Sequence, residues 1–492
     1  MSSNSESSRL LSSTSRAILG NSESFDEESS SSSSSSFSST QKGKTSLVLT
    51  AMTFANGVVG AGIIGLPGAL NQAGFTAGII LCILVAILSE WTLRVLADVG
   101  VAHGLYSYHD LMLRAFGPFG YYFVNIFQAI FAFGAMCTYL VIFADTVPSV
   151  LLMATNLKQT APILLNRQII LLIGSCSILI PLSLLRQYGH LANVSVIKML
   201  AISVLTGAII FFKFDPEIKV ASVKTNDWKY TQLHENFFPA LGTISFAFVC
   251  HHQTFLAHGS MYNPTQRRFA LMVNLAVSMS FSLSLLVACF GYATFFETTS
   301  GDIFINYDNF EHLRSNGLLV TARLLLALNM LVTYPSEMMV LRNTVESLID
   351  RRRRHTRWLA LQAPVHDIAL LAQLRQQEAE EEKQGANSWK FGTRPTWAVY
   401  EHVGVTLGLY LLTLLVALYV EDLNSILSVT GSFAAVMLAF ILPAAIRLRL
   451  GKDPYDEEPL LSFGNIPLLL LLVFGVIVFV ASTGFSIVAA FT

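Results

Sequence analysis

The chain has 492 residues, of which 53% are hydrophobic and 13% charged, with a formal net charge of −1. A soluble globular protein carries about a quarter charged residues, so a single water-soluble domain is excluded. The charges are segregated between long apolar runs, which is the pattern of an all-α polytopic membrane protein.

Residues 1–44 are low in complexity, with eight consecutive serines from Ser29 to Ser36. Such a segment buries too little apolar surface to offset its ordering entropy, and disorder is expected. Within it, Glu6-Ser-Ser-Arg-Leu10-Leu11 reads either as an acidic dileucine signal for a sorting adaptor or as part of an ordinary phosphorylatable tail. No cleavable signal precedes the first span, which is expected to direct insertion. The transporter-type transmembrane region is expected over 45–492.

Eleven spans follow, at 46–70, 74–97, 119–146, 167–185, 191–212, 236–258, 269–296, 315–343, 397–420, 424–446 and 465–490. Lys and Arg favour one side of the membrane. With the N-terminus cytosolic, Arg186, Arg267-Arg268, Arg351–Arg354, Arg447, Arg449 and Lys452 all fall inside. The loops at 213–235, 297–314 and 421–422 fall outside and are balanced or acidic. An odd number of spans then puts the C-terminus on the lumenal side. The insertion 344–396 begins with the basic cluster and continues through an amphipathic stretch, expected to lie as a cytosolic helix on the membrane surface. Cys82, Cys137, Cys176, Cys250 and Cys289 lie inside apolar segments, so they are read as packing residues without disulfides or a metal cluster.

The first span contains NGVVGAGIIGLPGAL over 56–70, with five glycines and a proline. Each interior Gly weakens a helix by about 1 kcal/mol relative to Ala. Small residues at this spacing serve either close helix packing or an unwound turn that binds a ligand at mid-membrane. Packing accounts for the glycines but not for Asn56 beside them or for Pro67, read here as ending the run. A break at Gly57, Val58, Val59, Gly60, Ala61 and Gly62 would offer N–H groups to a carboxylate and carbonyls to an ammonium or cation. On this reading, Gly62→Val should block a ligand's approach to the backbone without preventing folding.

The sixth span, ALGTISFAFVCHHQTFLAH over 240–258, is interrupted by Gly242, Thr243, Ser245 and His251-His252. Ionisable side chains inside a membrane default to functional candidates. His251 is open between proton carrier and hydrogen-bonded neutral ring, whereas His252 is read as an interfacial residue. The eighth span carries Asn329, Thr333, Ser336 and Glu337, with Pro335 freeing the carbonyl of Leu331. Thr333 beside that carbonyl suits Na⁺, while Glu337 is either a proton carrier or a partner of Arg342. Glu90 and Arg94 form an i,i+4 pair and are read as structural.

Together these stretches resemble the amino acid/auxin permease family, which includes the sodium-coupled neutral amino-acid transporters and the fungal vacuolar amino-acid transporters. The carrying residues are Phe54-Ala-Asn-Gly-Val-Val-Gly-Ala-Gly-Ile-Ile-Gly-Leu-Pro67, Gln72-Ala-Gly-Phe75, Asp145-Thr-Val-Pro148, Phe246-Ala-Phe-Val-Cys-His-His252 and Thr333-Tyr-Pro-Ser-Glu337. The stretches Trp91-Thr-Leu-Arg94 and Phe131-Ala-Phe-Gly134 look closest to the fungal vacuolar branch. The resemblance implies a LeuT-like fold of two inverted five-helix repeats plus one extra helix, with spans one and six both broken. It places substrate between Gly57–Gly62 and Ser245, Phe246 and Phe248, and puts Asn56 and Thr333 where sodium-coupled relatives hold the ion. The 213–235 loop has no cysteine and no Asn-x-Ser/Thr site, which argues against a cell-surface protein.

These readings point to a secondary active transporter that moves amino acids, with a neutral substrate expected, across a vacuolar or lysosomal membrane, with H⁺ or Na⁺ as coupling ion and no other cofactor. The alternative is a membrane amino-acid sensor signalling through the tail or the 344–396 insertion. Beyond His251-His252 no span gathers an acid, a base and a nucleophile, so no enzyme is expected. No nucleic-acid partner is expected either.

Overall fold

The computed structural model describes residues 45–155, 166–184, 191–218, 236–314, 316–349, 396–420, 422–452, 459 and 461–491. Residues 1–44, with the Glu6–Leu11 pattern, and the amphipathic part of the 344–396 insertion lie outside them. The described residues are helical apart from turns and one isolated parallel bridge between Thr45 and Met261.

The first span is two helices. Ser46 opens α1 (Leu47–Val59) by accepting the Leu49 N–H through its Oγ at 3.3 Å. The helix stops at Gly60, whose φ of 32° and ψ of −146° lie where a Cβ would be strained. After Ala61 the chain re-enters a helix, α2 (Gly62–Ala73), bent by 48° from α1. Pro67 does not end the run: it sits inside α2, and its ring fills the space a Cβ at Gly291 would need.

Two long helices come next, α3 (Phe75–Ala102) and α4 (Tyr108–Thr155), the latter kinked at Gly117. They are followed by α5 (Arg167–Ser183) and α6 (Leu191–Phe212). The sixth span is α7 (Phe237–Phe248), a 3-10 turn over His251–Gln253, and α8 (Thr254–Ser260). Its break falls at Val249 and Cys250, with φ/ψ of −94°/125° and −140°/22°. Gly242, Thr243 and Ser245, expected to interrupt this span, lie within an unbroken α7. Gly242 is there for packing, because a Cβ would collide with the Ser428 carbonyl oxygen.

The chain continues with α9 (Gln266–Phe295), the short α10 (Ile303–Asp308) and α11 (Glu311–Arg314), and then α12 (Gly317–Ile349) and α13 (Thr396–Tyr419). Next, α14 (Leu423–Thr430) widens into π-helical turns at Gly431–Ala435 and Met437–Ile441 before α15 (Leu442–Leu450). The last helix is α16 (Ile466–Phe491). Among the described residues eight helices are long and apolar enough to cross a bilayer, and the bent α1–α2 pair adds a ninth. The 17-residue α5 and the interrupted α7–α8 lie at two further stretches read as spans and are shorter than such a helix.

The interior is built around the two broken spans, with α2 on α7, α9 on α1, α2 and α3, and α12 on α4. The outward side is apolar: Leu470, Val473, Ile477 and Val480 of α16 are all more than half exposed. This is the surface that lipid requires of a multi-pass protein.

The loop between α9 and α12 is seated on α2. Asn71 Nδ2 donates to the carbonyls of Glu297 and Thr299, both at 3.0 Å. A Cβ on Gly68 would lie 2.6 Å from the Ser300 carbonyl oxygen. Within the loop, the Asp302 carboxylate accepts the Phe304 N–H at 2.8 Å and is 5% exposed. Burial pushes its pKa up to about 7, with Asp145 and Asp308 adding to the rise and the Phe304 N–H and Arg323 opposing it.

A raised carboxylate favours the docked loop when protonated. Docking should therefore be firmest below the ordinary carboxylate range and weaken as pH rises toward 7, by at most about 4 kcal/mol. Hydrogen exchange of residues 299–310 should speed up between pH 5 and 7.5 beyond the intrinsic rate change. Asp302→Asn should remove that excess.

Candidate functional site

The two breaks face each other. A Cβ on Gly57 would lie 2.8 Å from Gln253 Oε1 and 2.9 Å from Cys250 Sγ, and one on Gly62 would lie 2.7 Å from Ala247 Cα. At each break the last carbonyls of one helix and the first N–H groups of the next have no partners in their own helix. Val58, Val59 and Ala61 are fully buried around the first break, and the Tyr139 hydroxyl stands 3.5 Å from where a Gly60 Cβ would be.

Beside the breaks, four elements enclose a cavity of ≈ 20 Å³. It is lined by Thr53 and Gly57 of α1, Ser195 and Lys198 of α6, Gln253 of the 3-10 turn, and Thr333 and Ser336 of α12. That volume holds about one water or a bare ion and not an amino acid. The wall is held by polar bonds between helices. Thr53 Oγ1 lies 2.9 Å from Ser195 Oγ, and Asn56 Nδ2 donates to the Ser195 carbonyl at 2.8 Å.

Behind Gln253 is an ionic cluster. Gln253 Nε2 donates to Glu337 Oε1 at 2.8 Å, and His252 Nε2 lies 3.2 Å from Glu337 Oε2. His252 and Glu337 side chains are 1% and 2% exposed. Lys198, itself buried, acts electrostatically on the same carboxylate. A buried carboxylate in a membrane needs such partners.

The expected residues are sorted by this arrangement. Gly57 and Thr333 meet at the cavity, with Thr333 Oγ1 donating to the Asn329 carbonyl at 2.7 Å. Asn56 does not line it; its amide is committed to α6, while its buried Oδ1 has no partner among the described residues. Ser245 is fully buried and its Oγ has no partner among the described residues, while the Phe246 ring lies tilted beside Phe131 and that of Phe248 beside Phe281 of α9.

The two histidines face different helices, where the sequence leaves His251 open between proton carrier and hydrogen-bonded ring and reads His252 as interfacial. His251 turns to Thr92 of α3, 2.8 Å from its Oγ1, and it is His252 that reaches Glu337. Arg342 donates to the Ser183 carbonyl at 3.0 Å and lies 3.9 Å from Glu346. Glu90 and Arg94 pair as expected, with Asn274 joining them. Lys198 and Gln253 were missed by the sequence reading. For Lys198 the signal was present, as a lone ammonium in the apolar run of α6; for Gln253 only its place after two histidines.

The profile of the family described as transmembrane amino acid transporter protein matches residues 43–488. The chain belongs to that family. A Danio rerio protein named putative sodium-coupled neutral amino acid transporter 11 is 28% identical over 413 residues, covering 84% of this chain and 80% of the relative. Vacuolar amino acid transporter 2 of Saccharomyces cerevisiae is 26% identical over 452 residues, covering 91% and 84%. Among solved structures, MhsT in complex with L-phenylalanine superposes with a TM-score of 0.56 at 11% identity, over 91% of this chain and all of MhsT. The fold is therefore shared with LeuT-like transporters.

The packing at Gly62 changes what its substitution reports. A larger side chain there meets the backbone of α7 before any ligand. Gly62→Val should lower stability by about 1–3 kcal/mol or more, whereas Gly57→Ala, opposed by the flexible end of Gln253, should lower it less. Thermal unfolding of the purified variants in detergent checks the order.

Proposed function

We propose that this protein is a secondary active amino-acid transporter of a vacuolar or lysosomal membrane, driven by protons. Its eleven spans form two inverted five-helix repeats plus one helix, with the N-terminus cytosolic and the C-terminus lumenal. Substrate binds the peptide groups of Gly57–Gly62 against Ser245, Phe246 and Phe248 and is neutral, in keeping with the apolar Val58, Val59 and Ala61 around the break. Spans one and six rock against the remaining helices while this midplane site stays nearly fixed.

The family and the LeuT-like neighbours support transport, and the yeast relative's name supports the vacuole. Coupling is the point on which the relatives' names offer sodium, and the observation that carries the proton reading is Lys198. It lines the cavity that contains Thr333, the position expected to ligate Na⁺. Two like charges 4 Å apart in such surroundings repel by about 4 kcal/mol, which disfavours a sodium ion beside a charged lysine. The ammonium instead stands in for the ion, and its proton, shared electrostatically with Glu337, His252 and Gln253, is the coupled species. Asn56 and Thr333 then serve as its polar surroundings and His251 as a structural contact to α3.

The test is amino-acid flux in proteoliposomes under an imposed pH or sodium gradient. The wild-type chain should accumulate substrate with the pH gradient and ignore sodium. Lys198→Met should lose at least about tenfold of the gradient-driven accumulation and keep downhill exchange. Accumulation driven by sodium alone would reject proton coupling, and no gradient-dependent movement of any amino acid would reject the transporter.

A further inference from the structure

The stretch Phe131-Ala-Phe-Gly134 has no part in the site as described so far, yet its first ring is wedged into it. Phe131 of α4 is 4% exposed. Its ring centroid lies 5.3 Å from that of Phe246 and 4.9 Å from that of His252. Those two rings belong to opposite sides of the break at Val249 and Cys250. Phe246 is in the last turn of α7, on the substrate side, and His252 is in the 3-10 turn against Glu337.

The ring of Phe246 has little freedom elsewhere. The backbone of Gly431, in the π-helical turn, is so near that a Cβ there would lie 3.0 Å from Phe246 Cβ. Close-packed interiors do not deform smoothly, and a displaced ring must displace its neighbour. The ring packed beside it is Phe131, and the next ring along is His252. One aromatic residue of α4 thus touches both sides of the break in the sixth span.

We propose that Phe131 is the positioning residue that transmits substrate occupancy at Phe246 to the His252–Glu337 pair, so that substrate and proton are bound in concert. This rests on the proton-coupled transporter reading above. The titratable groups around that pair are Lys198 from α6 and, on its own segment, His251 and Cys250. Phe131 itself carries no proton, so any effect on pH dependence passes through ring contact.

Full-length protein reconstituted in proteoliposomes tests this, using whichever radiolabelled neutral amino acid the wild type carries fastest. Phe131→Leu should keep gradient-free counterflow within about threefold while pH-driven accumulation falls about tenfold. The midpoint of the pH profile should move by roughly half a unit or more. Phe131→Tyr, which keeps the ring, should restore both. Phe131→Met repeats the test if the leucine variant does not reconstitute.

Equal loss of counterflow and driven uptake with an unmoved midpoint would make Phe131 a packing residue and overturn the proposal. So would full coupling in Phe131→Leu, or coupling lost alike in Phe131→Tyr. If the wild type itself shows no pH-driven accumulation, the proton-coupled reading falls first and this one with it. A coupled wild type beside a coupled leucine variant removes the Phe131 proposal alone.

Discussion

Peptide groups are costly to leave without partners in hydrocarbon, and this chain interrupts two of its crossings. The two interruptions are packed against each other. Gly57 lets Gln253 and Cys250 come within contact of α1, and Gly62 lets the backbone of α7 lie directly on α2. Thr53 and Asn56 then fasten α1 to α6 through Ser195. Most other close approaches follow from holding these broken segments in place, including Gly65 on Leu427 and Gly242 on Ser428.

The same constraint explains which charges are inside. Glu337 accepts from Gln253, lies beside His252 and feels the charge of Lys198, groups from two elements other than its own helix. At another place Asp145, in the Asp145-Thr-Val-Pro148 motif, pairs with Arg167 at 2.6 Å, and Arg167 also donates to the Ala417 carbonyl. That pair ties α4, α5 and α13 together without entering the cavity. Ionisable residues in this fold thus divide into those that join helices and those that gather at the interruptions.

The first interruption was legible in sequence because its geometry demands glycine: Gly60 adopts a φ of 32°, and the neighbouring Asn and Gly residues mark the place. The sequence places the second over Gly242, Thr243, Ser245 and His251-His252, and it falls between Ser245 and His251. Val249 and Cys250 adopt ordinary negative φ values, so nothing in their side chains announces a break; contact with α1 imposes it. Gly242 looked like an interruption but is a contact point for span ten, a difference that depends on a partner nearly two hundred residues away. Pro67 was misread for a similar reason, since α2 tolerates it where Gly291 leaves room for its ring. His251 and His252 are adjacent, and only the turn of a 3-10 helix decides which of them meets Glu337.

Thr45 precedes α1 and is bonded on both sides, its N–H to Ser260 and its carbonyl to the N–H of Tyr262, at 3.2 and 2.9 Å. Those acceptor and donor groups sit at the end of α8. The near halves of both interrupted crossings are thereby stitched at a common seam, worth about 1–3 kcal/mol for two peptide bonds of this kind. Either half tilting alone must unpick that stitch, whereas the two swinging together leave it whole, and a pull on the chain just ahead of Thr45 is felt by both.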